Sequence, residues 1–460
     1  MINYRRHPQE TLLKKPPEAR RVFRARSVAE SAPAVAPTAA ALKVQTALVS
    51  RIQVLLPVAW LVAAILFLDC RLGLLLNAAD PARAGAAEVQ NLPGTIPDPT
   101  AQDWFVDRFA GNSTAGPEFF QGPAREVGGL GRCGACPLPD GRVLVPFRGG
   151  VAEIGTDGIL RLLTGGSGGF VAGTTAQVTA GTLAYNPRDK SVYAGGPNCI
   201  YQITEKVDGP WSFDLMAGIP GHPGFQDGPA KEATFTRIDN ILINTRGTVF
   251  ILDYNERIRQ IENGRVSTLN TNVRSGRFVN GPLAEACFNL IGLGGNLCLG
   301  DDDDTLYLSD HWNFATRQIN LKAMTVTTVA GMPQPAQRDQ KQQTPQEKRY
   351  NSNSDGPALT WASFNSGCAY VCWDPVHKAL WVGGPDESRF RWLKDGEVRT
   401  VIGAKGSDQW SKDALAAPAE TVKLVWNAVV AVDPQGRAYL SASSDPNGLW
   451  RASNRKEMKP

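Results

Sequence analysis

One stretch decides the fold: Met216-Ala217-Gly218, then Gly224-Phe225-Gln226-Asp227-Gly228-Pro229-Ala230, Ala233-Thr234-Phe235 and the apolar run Ile241-Leu242-Ile243. A turn at Thr245-Arg246-Gly247 follows, then Thr248 to Leu252, Asp253-Tyr254-Asn255-Glu256-Arg257-Ile258-Arg259-Gln260-Ile261 and, past Asn263-Gly264, Arg265 to Leu269. Each apolar run is too short for a helix and ends at a Gly-containing turn, which predicts four strands in succession. Such a unit cannot bury both its faces alone, so copies of it are expected beside it.

The copies are present. The polar-Gly-Pro element recurs as Gln121-Gly122-Pro123-Ala124, Asn280-Gly281-Pro282-Leu283 and Asp355-Gly356-Pro357-Ala358. The turn and second strand recur at Asp140 to Val145, Asp189 to Tyr193, Asp304 to Leu308, His377 to Val382 and Gln435 to Leu440, six units with the first. These residues resemble the NHL repeat family, over residues 103–460. The resemblance implies an all-β, six-bladed NHL-like β-propeller, a binding platform in most members and a lyase or hydrolase scaffold in a few. The sixth unit reaches Leu449-Trp450-Arg451 and lacks a fourth strand. The segment Asp103 to Gly111 supplies a matching one, which predicts ring closure by the N-terminal strand and removal of two open sheet edges.

Composition agrees: 46 Gly, 32 Pro and only 20% charged residues suit a turn-rich all-β domain. Net charge is +4, but residues 1–51 hold ten Lys/Arg against Glu10, Glu18 and Glu30, so the tail is +7 and the remainder −3. With no basic stripe on the domain, nucleic acid is not an expected partner. Of eight cysteines, one (Cys70) falls in an apolar segment, leaving an odd number in the domain. They read as small core residues, with a local disulfide at Cys133/Cys136 or Cys368/Cys372, or a metal, as alternatives.

That apolar segment precedes the repeats. Val54 to Leu68 carries no charge, and the run resumes at Leu72 to Leu76. As a helix these positions reach about 34 Å, enough for a bilayer core of about 30 Å. The expectation is a basic tail over 1–51, a transmembrane helix over 52–76 contacting lipid, and a linker over 77–102. Asp69 and Arg71 fall near the far interface, as a polar pair or as contacts to a neighbouring helix. Ten positive charges ahead of the helix predict an N terminus on the cytoplasm, matrix or stroma side and an exported propeller. A mitochondrial or bacterial inner membrane is the leading expectation, and whether the tail also serves as a targeting signal stays open.

No nucleophile elbow, phosphate loop or HExxH occurs. Weak metal candidates are His311 beside Asp310, and Asp301 and Asp303 in a four-carboxylate run that otherwise reads as a solvated turn. His222, His311 and His377 stand in different units, with His377 in a turn expected far from the channel mouth. Trp410 and Trp426 join Asp69 and Arg71 as candidate partner contacts. A polar insertion at 333–354 reads as a loop that is disordered or orders on a partner. The expected function is a membrane-anchored, non-catalytic scaffold subunit without cofactor, accessory to a larger and possibly energy-transducing membrane complex. The alternatives are a hydrolase or lyase with a channel metal, and a small-ligand or glycan sensor.

Overall fold

The computed structural model describes residues 103–111, 121–128, 130, 134–147, 150–164, 181–206, 209–254, 256–271, 277–290, 296–331, 354–364, 367–384, 389–403, 416–424, 427–442 and 448–454. The tail, the apolar segment with Asp69 and Arg71, the linker, Trp410, Trp426 and residues 333–353 lie outside them. Among the described residues no helix is long and apolar enough to cross a membrane.

Six antiparallel sheets form six blades, I to VI in chain order with blade VI last. From the channel outward, blade III runs Ile238–Ile243, Val249–Asp253, Arg257–Glu262, Arg265–Thr268 and then Gly228–Pro229. Blades I, IV and V end the same way, on Gly122–Pro123, Gly281–Pro282 and Gly356–Pro357. This is more than the expected four strands: the Gly-Pro element pairs along the outer strand of its own blade. Its glycines need φ of +146°, +144°, +114° and +135°, open only to Gly, and a proline that cannot donate is tolerated on an edge.

The same element staples blades I, III, V and VI each to the one before. Gly218, closing the outer strand of blade II, donates its N–H to the Ala230 carbonyl at 2.8 Å, and the Ala230 N–H donates to the Gly264 carbonyl at 2.8 Å. Gly111 to Ala124 (2.8 Å), Gly331 to Ala358 (2.9 Å) and Gly403 to Ala419 (2.9 Å) repeat the first of these bonds. The motif spelled Ala-Gly…Asp-Gly-Pro-Ala is therefore a chain of inter-blade hydrogen bonds.

Innermost strands of neighbouring blades touch all the way round, including Asn427–Val432 against Cys136–Pro137, so the ring is closed. Blades pack face to face: Phe250, Leu252 and Ile258 of blade III share a core with Leu306, Leu308 and Ile319 of blade IV. Each such fully buried side chain contributes about 1.5–3 kcal/mol. The ring has two rims. Innermost strands begin at the front rim, where the loops joining second to third strands also lie, and tight turns occupy the rear.

Blade VI is assembled from both chain ends. Trp104–Ala110 lies between Gly448–Asn454 and Ala416–Pro418, with Trp104 opposite Asn454 and Arg108 opposite Trp450. The Trp104 ring stands 5.5 Å from Trp381, 5.6 Å from Trp392 and 5.3 Å from His377, all of blade V. The first residue of the closing strand thus anchors an aromatic cluster on the neighbouring blade.

Candidate functional site

Charged groups that could do chemistry are mostly spent on holding blades III, IV and V. Each buries one arginine on its third strand: Arg259, Arg317 and Arg391, all fully enclosed. Arg259 pairs with Asp253 (3.1 Å) and Asp227 (2.7 Å), and Asp227 also accepts from the Thr268 N–H (2.9 Å). Arg317 pairs with Asp310 (2.6 Å) and donates to Asn280 (2.8 Å), which bonds Thr328. Arg391 donates to the Ser363 carbonyl (2.9 Å) beside Asp355, whose carboxylate accepts from the Thr400 N–H (2.8 Å). Phe235, Phe288 and Phe364 lie under the three guanidiniums at 4.9, 5.4 and 4.5 Å. The polar residue of the Gly-Pro element and the Phe that follows it are the two jaws of this clasp. The sequence did carry a signal for it, since Arg259-Gln260-Ile261 and Arg317-Gln318-Ile319 are the same tripeptide.

Asp310 is therefore a structural residue. It accepts from the Asn289 N–H (2.7 Å) and Asn313 (3.0 Å) besides Arg317; burial pushes its carboxyl above the usual carboxylate range, opposed chiefly by Arg317. His311 is wholly buried with its ring edge-on to Trp312 at 4.7 Å. A Cβ on Gly367 of blade V would come within 2.9 Å of that ring, so His311 fills an inter-blade gap. His377 sits on the rear rim, its Nδ1 2.9 Å from Asp374, while His222 is exposed on a loop. The three histidines do not converge, and among the described residues no cluster of His, Cys, Asp or Glu could hold a metal.

The carboxylate run at 301–304 does not gather round one point. Asp301 reaches Lys378 of blade V (2.5 Å); Asp303 accepts from the N–H and hydroxyl of Thr245 in blade III, and Asp304 pairs with Arg246 (2.8 Å) and Lys322 (2.8 Å). The last two cations hold the Asp304 carboxyl below its ordinary range. The run joins the rear turns of three blades.

The channel opens at the front rim into a cavity of about 350 Å³. Asp239, Asn240 and Asn296 make a polar wall, and Leu183, Leu242 and Val430 an apolar floor. Asp239 is bound by Arg237 through both oxygens (2.7 and 3.2 Å), whereas the enclosed Oδ1 of Asn240 has no partner among the described residues. Cys298 and Cys372 also line it, and among the described residues neither they nor Cys136 and Cys368 form a disulfide. Burial pushes Cys136 and Cys372 up to about 12, which disfavours the nucleophilic thiolate at both.

A second surface was not legible in the sequence. On the front-rim loops of blades III and IV, Phe225 (59% exposed), Trp312 (45%) and Tyr254 (37%) face solvent. Arg257 lies over Phe225 at 4.8 Å and Arg237 over Tyr254 at 3.9 Å, linking this patch to Asp239 at the channel mouth. Phe225 belongs to the repeat motif, which hid its exposure behind its apparent structural role.

No family model matches the chain, and no curated protein sequence matches it. Fold and closure define it as a six-bladed β-propeller. Solved structures from Bacteroides thetaiotaomicron share the fold. One is an auxiliary nutrient binding protein, at 10% identity and TM-score 0.52 over 76% of each chain. Another is a protein of unknown function, at 14% identity and TM-score 0.51 over 76% of each chain. At such identities the likeness shows the fold alone.

Proposed function

We propose that the chain is a non-catalytic binding platform, an NHL-like propeller tethered through residues 52–76 and serving as a scaffold subunit of a membrane complex. The observation that carries this reading is the exposed front-rim patch of Phe225, Tyr254 and Trp312, two of them flanked by stacked arginines. Aromatic and arginine side chains dominate binding energy at protein interfaces, because they bury large area at little entropic cost. The engagement of Asp253 with Arg259, Asp310 with Arg317 and Asp374 with His377 supports a binding role over a hydrolytic one.

The test is purification of the full-length chain in mild detergent with its partners, identified by mass spectrometry. Partner subunits should be retained by the unmodified chain and lost from the triple variant Phe225→Ser, Tyr254→Ser, Trp312→Ser, while its melting temperature holds. One equivalent of tightly bound metal together with hydrolase or lyase turnover would overturn the reading. A second reading, a small-ligand sensor, is favoured by the unpartnered Asn240 Oδ1 in the channel; substitution Asn240→Leu should then abolish ligand-induced thermal stabilisation. Tethering is tested by carbonate extraction, which should leave the chain in the membrane, and orientation by protease added on the exported side, which should digest the propeller and spare residues 1–51.

A further inference from the structure

Successive turns on the rear rim are joined from blade I to blade VI. Arg142 of blade I reaches Glu205 of blade II (2.7 Å), and Arg188 donates to the Arg246 carbonyl of blade III (2.9 Å). Arg246 pairs with Asp304 of blade IV and Asp301 with Lys378 of blade V. Gly436 of blade VI lies against Val376 and His377 of blade V, where a Cβ would approach within 3.1 Å. The remaining junction, between blades VI and I, is bridged by Asp107 and Arg125 (2.9 Å) and holds an open cleft of about 500 Å³.

Three guanidiniums line that cleft: Arg125, Arg437 and Arg451. Each is fixed by a carboxylate. Arg451 grips Asp107 through Nε (3.1 Å) and Nη2 (3.0 Å), Arg125 donates Nη2 to the same carboxylate (2.9 Å), and Arg437 donates Nε to Asp433 (2.6 Å). Among the described residues Nη1 of all three is without a partner. Oriented donors held in place by a second residue lose little entropy on binding an anion. Phe109, beneath Arg451 at 5.1 Å, adds an apolar wall.

We propose that this cleft binds a carboxylate of an acidic segment of a partner protein. The inference rests on the platform reading and names the chemistry of one partner contact. Charge favours a carboxylate over a phosphate. Asp107, Asp433 and the lining Glu126 balance the three arginines, so the cleft offers directional hydrogen bonds without excess positive charge. A dense polyanion would meet Glu126, whereas a single carboxylate needs only two such donors.

The experiment measures fluorescence anisotropy of a short labelled peptide carrying two adjacent glutamates, titrated with the full-length chain in mild detergent. Its glutamine counterpart is the control. The glutamate peptide should bind saturably, about tenfold tighter than the glutamine peptide, and the double variant Arg125→Gln, Arg437→Gln should lose about tenfold. Glu126→Gln should bind about threefold tighter, because a repelling charge at the rim is gone. Melting curves verify that all variants remain folded. Equal affinity for the two peptides, no saturable binding, or unchanged affinity in the double variant would each overturn the proposal. If partners still co-purify with the chain in that event, the platform reading stands and only the cleft is lost.

Discussion

Blade III is one unbroken stretch from Gly228 to Thr268, whereas blade VI joins Trp104–Ala110 to residues 416–454 from the other end of the sequence. The first is held by parts close in the chain: the buried Arg259, its two aspartates and Phe235 lie within 32 residues of one another. The second closes a loop of over 300 residues, whose entropy must be met before any contact across the seam stabilises. Blade VI answers with area: Trp104, Trp450 and Leu440 are fully buried and continuous with Trp381 and Trp392 of blade V. Local charge clasps thus serve the repetitive blades, and aromatic packing serves the seam.

The comparison breaks most visibly at the seam. Deletion of residues 103–111 should expose an edge on each side of it and lead to aggregation on size-exclusion chromatography, with loss of the cooperative melt. A soluble, normally melting product would show that the strand contributes little. Next in size, Trp104→Ala should destabilise by about 3–5 kcal/mol in denaturant titration, the cost of a large cavity in an aromatic core. Closure by backbone pairing alone would leave that midpoint nearly unmoved.

Arg317→Met sharpens the other side of the comparison. Removing the cation strands Asp310 in a buried site and should cost about 3 kcal/mol near neutral pH. Burial already raises the folded-state pKa of Asp310 above its unfolded value, and losing Arg317 raises it further. A raised carboxyl keeps its proton longer in the folded state than in the unfolded one, so stability is present at low pH and lost as pH rises through the folded pKa. The deficit of the variant should therefore shrink below the ordinary carboxylate range and grow toward neutrality, read as the melting-temperature difference from wild type across pH. A deficit independent of pH would mean that packing on Phe288, and not charge, carries the clasp. Smallest of all, Arg246→Gln on the exposed rear rim should leave the melting temperature unchanged within error, because solvent and salt screen such pairs.

What was readable in advance follows from which interactions are local. The strands of blade III and the turns at Gly247 and Gly264 were legible because period, turn chemistry and chain neighbours determine them. The Gly-Pro element was legible as a repeat but not as a strand, since its partner is the outer strand 36 to 38 residues further on and nothing nearby marks the pairing. Asp310 and His311 stood out as candidates because polar residues side by side in a loop look the same whether solvent or a neighbouring blade covers them.

By itself the sequence determined the all-β class, the number of blades and the turn positions, because hydrophobic period and glycine placement act over a few residues. Only the tertiary structure decided what each polar side chain does. It buried Asp253, Asp310 and Asp374 against their partners, spread the carboxylates at 301–304 over three blades, left Phe225 and Trp312 in solvent, and brought Arg125 to Arg437 and Arg451 across the seam. The reason is that burial and charge pairing depend on neighbours hundreds of residues away in the chain, and ring closure alone fixes which neighbours those are.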